Sequence, residues 1–131
     1  MTLRPIIVVA MVLALTSCAR MAPPIDPRSP RATGVSVVDN KYLIVDQEPI
    51  IVRGSAVVLT WRLDADSAYR FPERNAITFA KAPEGEFRCN TTGNGRQVQC
   101  TDRGTPGQYK YVITVTRGSE TLTLDPFIWN L

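Results

Sequence analysis

The sequence predicts a small all-β sandwich over residues 33–131 of the 131-residue chain. Three observations support this fold class. Apolar and polar residues alternate with a period of two in several segments, turn-forming clusters separate those segments, and no stretch after residue 33 keeps the spacing of an amphipathic helix. Ten aromatic residues are available to fill the space between layers, which favours two sheets packed face to face.

The first 17 residues are organised like a signal peptide. Arg4 supplies a positive charge, an apolar run extends from residue 5 to Leu15, and small residues lead into Cys18. As a helix, this run would extend only about 16 Å, well short of the ~30 Å hydrocarbon core of a membrane. The sequence therefore predicts a cleaved signal peptide over residues 1–17.

The four residues Leu15-Thr16-Ser17-Cys18 resemble the lipobox of bacterial lipoproteins. The resemblance implies that Cys18 is lipidated, that a peptidase cuts just before it, and that acyl chains anchor the mature protein in a membrane. In Gram-negative lipoproteins an Asp after the cysteine retains the protein in the inner membrane. Ala19 stands here, which implies the outer membrane, facing the periplasm. The alternative is an ordinary secretory signal in which Cys18 is incidental.

A proline-rich tether is predicted over residues 18–32, with prolines at positions 23, 24, 27 and 30. Proline lacks an amide donor and favours an extended path of ~3.1 Å per residue, so the segment can hold a domain up to ~40 Å from a bilayer. We expect a spacer, and a docking site for a proline-reading partner is the alternative. Arg20, Arg28 and Arg31 either contact anionic lipid or keep the tether solvated.

Net charge is concentrated outside the predicted domain. The whole chain has 15 basic and 12 acidic residues, but residues 33–131 contain eleven of each sign. A neutral domain lacks the basic surface typical of nucleic-acid binding, so we expect no nucleic-acid partner.

Nine strands are predicted in order along the domain. They cover residues 35–38, 42–45, 50–52, 57–63, 76–79, 87–90, 98–101, 108–115 and 122–129. The alternation is clearest in the fourth and the eighth, which indicates half-buried strands. In the ninth, the apolar positions change from even to odd numbers after Leu124. We therefore expect a bulge or bend at Asp125-Pro126, with Phe127 and Trp129 on the apolar face.

The stretch GQYKY at residues 107–111, followed by a long strand, a tight turn and a final strand, resembles the closing hairpin of immunoglobulin-like domains. The resemblance implies an immunoglobulin-like β-sandwich. It departs at the cysteines, because an immunoglobulin disulfide joins residues far apart in sequence, whereas Cys89 and Cys100 are close. The same stretch is similar to cupredoxins, but those bind copper through histidines that this chain lacks.

Cys89 and Cys100 are predicted to form a local disulfide. A two-residue turn at Asn94-Gly95 sets the two cysteines directly opposite each other. Counting outward from that turn places them at a hydrogen-bonded site with a Cα separation of ~5.5 Å, which a bulge at Gly93 would relieve. In an exported protein such a disulfide contributes ~3 kcal/mol. The alternative is a redox or metal-binding pair, which the spacing and the lack of nearby ligands disfavour.

The chain contains no histidine. This removes the usual general base, the Ser-His-Asp and Cys-His arrangements, and most zinc or copper sites. Two carboxylate pairs remain as catalytic candidates, Asp64 with Asp66 and Glu84 with Glu86, and we interpret both as solvated turn residues. Residues 64–67 lack the glycine and distal glutamate of a calcium loop. We expect no enzymatic activity, no cofactor and no metal site.

One segment combines residue types that are enriched at interface hot spots. Tyr69, Arg70, Phe71 and Arg74 are the candidate binding residues, in a loop after the fourth predicted strand. The alternative is that Tyr69 and Phe71 cap the core while the arginines face water. A second candidate is the polar, glycine-rich loop of residues 91–96.

These features predict a lipid-anchored envelope protein that acts without catalysis through contacts with an envelope protein. It would serve as an accessory or adaptor subunit of an envelope assembly. An inhibitor or immunity protein against a periplasmic hydrolase is the alternative. A glycan hydrolase is a third interpretation, and it requires two carboxylates within ~5 to 10 Å in a cleft.

Overall fold

The computed structural model describes residues 30–131 and forms ten strands within them. They are β1 (Thr33–Val38), β2 (Tyr42–Val45), β3 (Ile50–Val52), β4 (Val57–Leu63), β5 (Ile77–Phe79), β6 (Phe87–Thr92), β7 (Gln97–Asp102), β8 (Gly107–Arg117), β9 (Glu120–Leu124) and β10 (Phe127–Asn130). The predicted signal peptide, Cys18 and the tether up to residue 29 lie outside the described residues. Within residues 30–131, no helix is long and apolar enough to cross a membrane.

Two sheets pack against each other around one core. One sheet has the order β2-β1-β4-β7-β6, and the other has the order β3-β10-β8-β5 with β9 also paired to β8. Most neighbours are antiparallel, but β1 runs parallel to β4, and β3 runs parallel to β10. The predicted all-β sandwich is confirmed, and the first eight predicted strands match β1 to β8 to within one or two residues at each end.

The core lies between the sheets, and the two longest strands, β4 and β8, contribute alternate residues to it. Odd-numbered residues are buried over 57–63 in β4 and over 109–115 in β8, as the period of two predicts. At the centre, Trp61 Nε1 donates a hydrogen bond to Tyr111 Oη at 3.2 Å, and the two ring centroids are 5.4 Å apart. The bond satisfies an indole N–H that would otherwise be buried without a partner.

The predicted change of face after Leu124 was wrong. β9 and β10 pair with β8 in one register with no residue inserted. Ile128 is buried and Trp129 is 48% exposed, so even-numbered residues face the core throughout. Pro126 interrupts the ladder because it has no N–H. Tyr111 N donates to Pro126 O at 3.0 Å, and the proline cannot return the bond.

The predicted disulfide between Cys89 on β6 and Cys100 on β7 is confirmed, and the two residues are in register. The connection differs from the predicted two-residue turn. The paired strands end at Thr92 and Gln97, which leaves a four-residue turn at 93–96. The longer turn shifts the alternation of hydrogen-bonded sites by one position. The cysteine Cα atoms are accordingly 4.0 Å apart, closer than the ~5.5 Å of a hydrogen-bonded site.

Candidate functional site

Four connections lie at one end of the sandwich, which we call the loop end. It consists of residues 39–41, 64–76, 93–96 and 118–119. Because β4 is parallel to β1 and antiparallel to β7, the segments that follow β1 and β4 and precede β7 emerge on the same side. Loops carried by a rigid β-scaffold commonly hold binding residues. Both binding segments predicted from the sequence belong to this end.

The candidate residues Tyr69, Arg70, Phe71 and Arg74 do not form one exposed patch. Tyr69 is 1% exposed and Phe71 is 3% exposed, so the prediction of these two rings as surface binding residues was wrong. They cap the open end of the core, as the alternative interpretation has it, because their apolar area is excluded from water there. Arg70 is half-buried, and Arg74 is exposed.

The two candidate segments contact each other directly. Phe71 N donates to Gly95 O at 2.8 Å, and Thr91 Oγ1 donates to Pro72 O at 2.7 Å. Gly95 has a φ of +79°, and a side chain there would collide with the Phe71 carbonyl and the Arg70 side chain. Glycine is required for so close an approach. The loop after β4 and the β6–β7 turn therefore form a single surface.

A second set of contacts fixes the other side of the same loop. Tyr69 Oη donates to Glu120 Oε2 at 2.9 Å and lies 3.2 Å from Asn40 O. The Arg117 guanidinium lies over the Tyr69 ring, 4.7 Å from its centroid, and pairs with Glu120 at 2.7 Å. Burial and the hydrogen bond to Glu120 raise the pKa of Tyr69, while hydrogen bonds from Tyr69 and Arg117 lower the pKa of Glu120. All four connections are thus held together.

Two depressions flank the β6–β7 turn. One has a volume of ≈ 450 Å³ and is lined by Phe71, Glu73 and residues of the turn. The other has a volume of ≈ 440 Å³ and is lined by Arg62 on β4 and Arg96 in the turn, with no carboxylate among the described residues that line it. The two sides of the turn therefore differ in charge.

A larger open groove of ≈ 590 Å³ lies between β5 and β6, which are edge strands of opposite sheets. Phe79 and Phe87 stack within it at a centroid distance of 3.8 Å. Glu73, Arg74 and Cys89 also line it. Its charges are mixed, and nothing in its lining selects one class of ligand.

Two carboxyl groups are buried at the end opposite the loop end. Glu86 and Asp102 are 0% exposed, and the expectation that Glu86 is a solvated turn residue was wrong. Glu86 accepts hydrogen bonds from the amide of Thr105 at 2.7 Å and from its hydroxyl at 2.6 Å. Asp102 Oδ1 accepts hydrogen bonds from Gly104 N at 2.8 Å and from Asn130 Nδ2 at 2.9 Å.

The pKa values of Glu86 and Asp102 are shifted in opposite directions. Burial and the charge of Glu86 raise the pKa of Asp102 against the hydrogen bonds from Gly104 and Asn130. Burial also acts on Glu86, but hydrogen bonds from Thr105 and Asp102 outweigh it and lower the pKa of Glu86. When a protonated Asp102 donates a hydrogen bond to an ionised Glu86, the pKa of Asp102 is raised and the pKa of Glu86 is lowered. Since neither group has exposed surface, the pair is placed to stabilise this end rather than to contact a substrate.

The remaining catalytic candidates Asp64, Asp66 and Glu84 are exposed. Across the part of the chain that the structure describes, no group of three or more Cys, Asp or Glu side chains is placed to hold a metal ion.

No protein-family model matches the chain, and a search of curated proteins finds no match. No residue role is therefore carried over from a relative, and the loop end is the best candidate site on geometric grounds.

Proposed function

We propose that the protein is a bacterial lipoprotein of the outer membrane that acts without catalysis, through protein contacts made by the loop end. The observation that carries the proposal is the direction of β1. This strand begins at Thr33, next to the tether, and ends at Val38, next to the loop end. Its six residues extend over about 17 Å. The loop surface therefore faces away from the point where the chain enters the domain.

The entry point is fixed to the domain by charged contacts. Arg31 Nη1 donates to Asp46 Oδ2 at 2.9 Å, and Gly34 N donates to Asp46 Oδ1 at 2.8 Å. Burial opposes ionisation of Asp46, but hydrogen bonds from Arg31 and Gly34 outweigh it and lower the pKa of Asp46. A fixed entry point supports a constant orientation of the loop end relative to the tether.

Lipid attachment at Cys18 is the second part of the proposal and rests on the lipobox-like residues 15–18. Acyl chains hold a protein on a membrane by burying methylene groups, each worth ~0.8 kcal/mol. Anchored in this way and facing the periplasm, the domain would serve as an accessory or adaptor subunit of an envelope assembly.

The strand order supports an immunoglobulin-like assignment as a third part of the proposal. In immunoglobulin domains, strands B, E and D are neighbours in one sheet, and C, F and G are neighbours in the other. The orders β4-β7-β6 and β5-β8-β10 follow the same pattern. The β1–β2 hairpin and the local disulfide are departures from it.

Site-specific photo-crosslinking in the envelope tests the loop end as the contact surface. A photoreactive residue at exposed Ala65 or Asn94 should give a discrete adduct, whereas the same residue at exposed Ser55, in the turn between β3 and β4 at the opposite end, should not. Adducts from Ser55 with none from Ala65 or Asn94 would contradict the assignment. An adduct with a periplasmic hydrolase whose activity the protein blocks would establish the inhibitor alternative.

Fractionation tests the anchor separately. Cys18→Ala should move the protein from the membrane fraction to the soluble fraction and abolish palmitate incorporation. A Cys89→Ser, Cys100→Ser double variant should stay in the membrane fraction, because it leaves Cys18 in place. Unchanged partitioning of Cys18→Ala would overturn the lipoprotein assignment.

A further inference from the structure

The depression on one side of the β6–β7 turn has the charge of an anion site. Arg62 at the end of β4 and Arg96 in the turn line its ≈ 440 Å³, and exposed Ala65 lines it as well. Residues 93–96 belong to the loop end, so this depression lies within the surface proposed above to contact a partner.

Both arginines are held in place by neutral acceptors. Arg62 Nε donates to Gln97 Oε1 at 2.9 Å. Arg96 Nη1 donates to the carbonyl oxygens of Asp64 at 3.0 Å and Ser67 at 2.8 Å. Among residues 30–131, neither guanidinium forms an ion pair with a carboxylate. The hydrogen bonds to neutral acceptors leave other guanidinium N–H groups available, and they restrict the side chains, which lowers the entropy that binding costs.

The hydroxyl of Thr92 is buried beside the β6–β7 turn, and this residue lines both of the depressions that flank the turn. Its Oγ1 has no hydrogen-bond partner in the described structure. A buried hydroxyl without a partner is costly, typically ~1 to 3 kcal/mol by mutational data.

We propose that this depression binds a carboxylate on an acidic segment of the partner polypeptide. The proposal rests on the proposed function, because it uses the loop end as the contact surface. A guanidinium fork matches the two oxygens of a carboxylate. The exposed methyl group of Ala65, which lines the same depression, favours the aliphatic stem of a glutamate side chain over a fully hydrated phosphate.

Titration of the full chain in neutral detergent tests the site with defined probes. The probes are a blocked peptide of alternating Glu and Ala, the matched Gln-Ala peptide, and inorganic phosphate. We expect the Glu peptide to shift the Nε–H resonances of Arg62 and Arg96 in an arginine-labelled sample, and the Gln peptide to leave them unchanged. Arg62→Gln should weaken Glu-peptide binding by roughly tenfold or more.

Arg53→Gln is the matched control, because it removes the same charge from an exposed arginine at the opposite end. It should change the affinity by roughly twofold or less, as expected for a distant surface charge. Equal weakening by Arg53→Gln and Arg62→Gln, or a response to phosphate without one to the Glu peptide, would overturn the proposal. Its failure would leave the crosslinking and fractionation results intact, so the two proposals are separable.

Discussion

The buried pair of Glu86 and Asp102 should make the stability of the domain depend on pH with a definite sign. The pKa of Asp102 is raised from 3.8, so its contribution to stability is complete below pH 3.8 and is lost as the pH rises through the folded-state pKa. The pKa of Glu86 is lowered from 4.5, so its contribution is present above pH 4.5 and is lost as the pH falls through the folded-state pKa.

Asp102→Asn should remove the loss of stability that accompanies a rise in pH through the folded-state pKa of Asp102. The amide oxygen would still accept from Gly104 and Asn130, and the amide nitrogen would donate to Glu86 in place of the carboxylic proton. We expect this variant to lose about 1 kcal/mol or less at pH 5. Asp102→Ala removes two accepted hydrogen bonds and the donor to Glu86. At about 1 to 1.5 kcal/mol each, the expected loss is about 3 to 4.5 kcal/mol.

Urea unfolding of the full chain between pH 4 and 9 measures both effects. Glu84→Gln is the control, since Glu84 is exposed and two residues from Glu86. Tyr109 also faces the pair, and burial and the two carboxylates raise its pKa, so it stays protonated over this range. A loss of stability with rising pH in Asp102→Asn equal to that of the parent, or a loss below about 1 kcal/mol in Asp102→Ala, would refute the shared proton.

Two further predictions concern the Cys89–Cys100 disulfide and the candidate binding residues Phe71 and Arg74. Replacing Cys89 and Cys100 with serine should lower the free energy of unfolding by about 2 to 4 kcal/mol with circular dichroism unchanged, and free thiols at these two positions in the parent protein would contradict the bond. Phe71→Ala should cost about 3 to 5 kcal/mol in the same assay, because it leaves a cavity under the loop end. Arg74→Ala, at an exposed position, should cost less than about 0.5 kcal/mol. Equal losses for these last two variants would contradict the placement of Phe71 in the core.

The strands could be predicted from the sequence because alternation is a local property. The same holds for the pairing of Cys89 with Cys100, which depends only on the position of the turn between them. In β7, Val98 and Cys100 face the core, and the same alternation places Asp102 at the next inward position. The burial of Asp102, one member of the buried carboxyl pair, could therefore have been predicted from the sequence.

Other placements depend on residues far away in sequence. Phe71 is covered because the turn at Gly95 bonds to it, and Tyr69 is covered because Glu120 and Asn40 close over it. No local pattern carries that information. The face of β10 was mispredicted for a different reason, since the large aromatic Trp129 stands outside while the smaller Ile128 fills the core. Apolar size alone does not decide which face is inward.

The parallel pairing of β1 with β4 determines how the domain responds to force. A pull on the chain before Thr33, opposed by a load at the loop end, acts along the axis of β1. The backbone hydrogen bonds to β4 lie across that direction, so they are loaded in shear and must yield together rather than one at a time. The ion pair of Arg31 with Asp46 lies just outside this strand and takes up tension first. We expect this shear arrangement to resist a pull along β1 more strongly than strands whose hydrogen bonds separate one at a time.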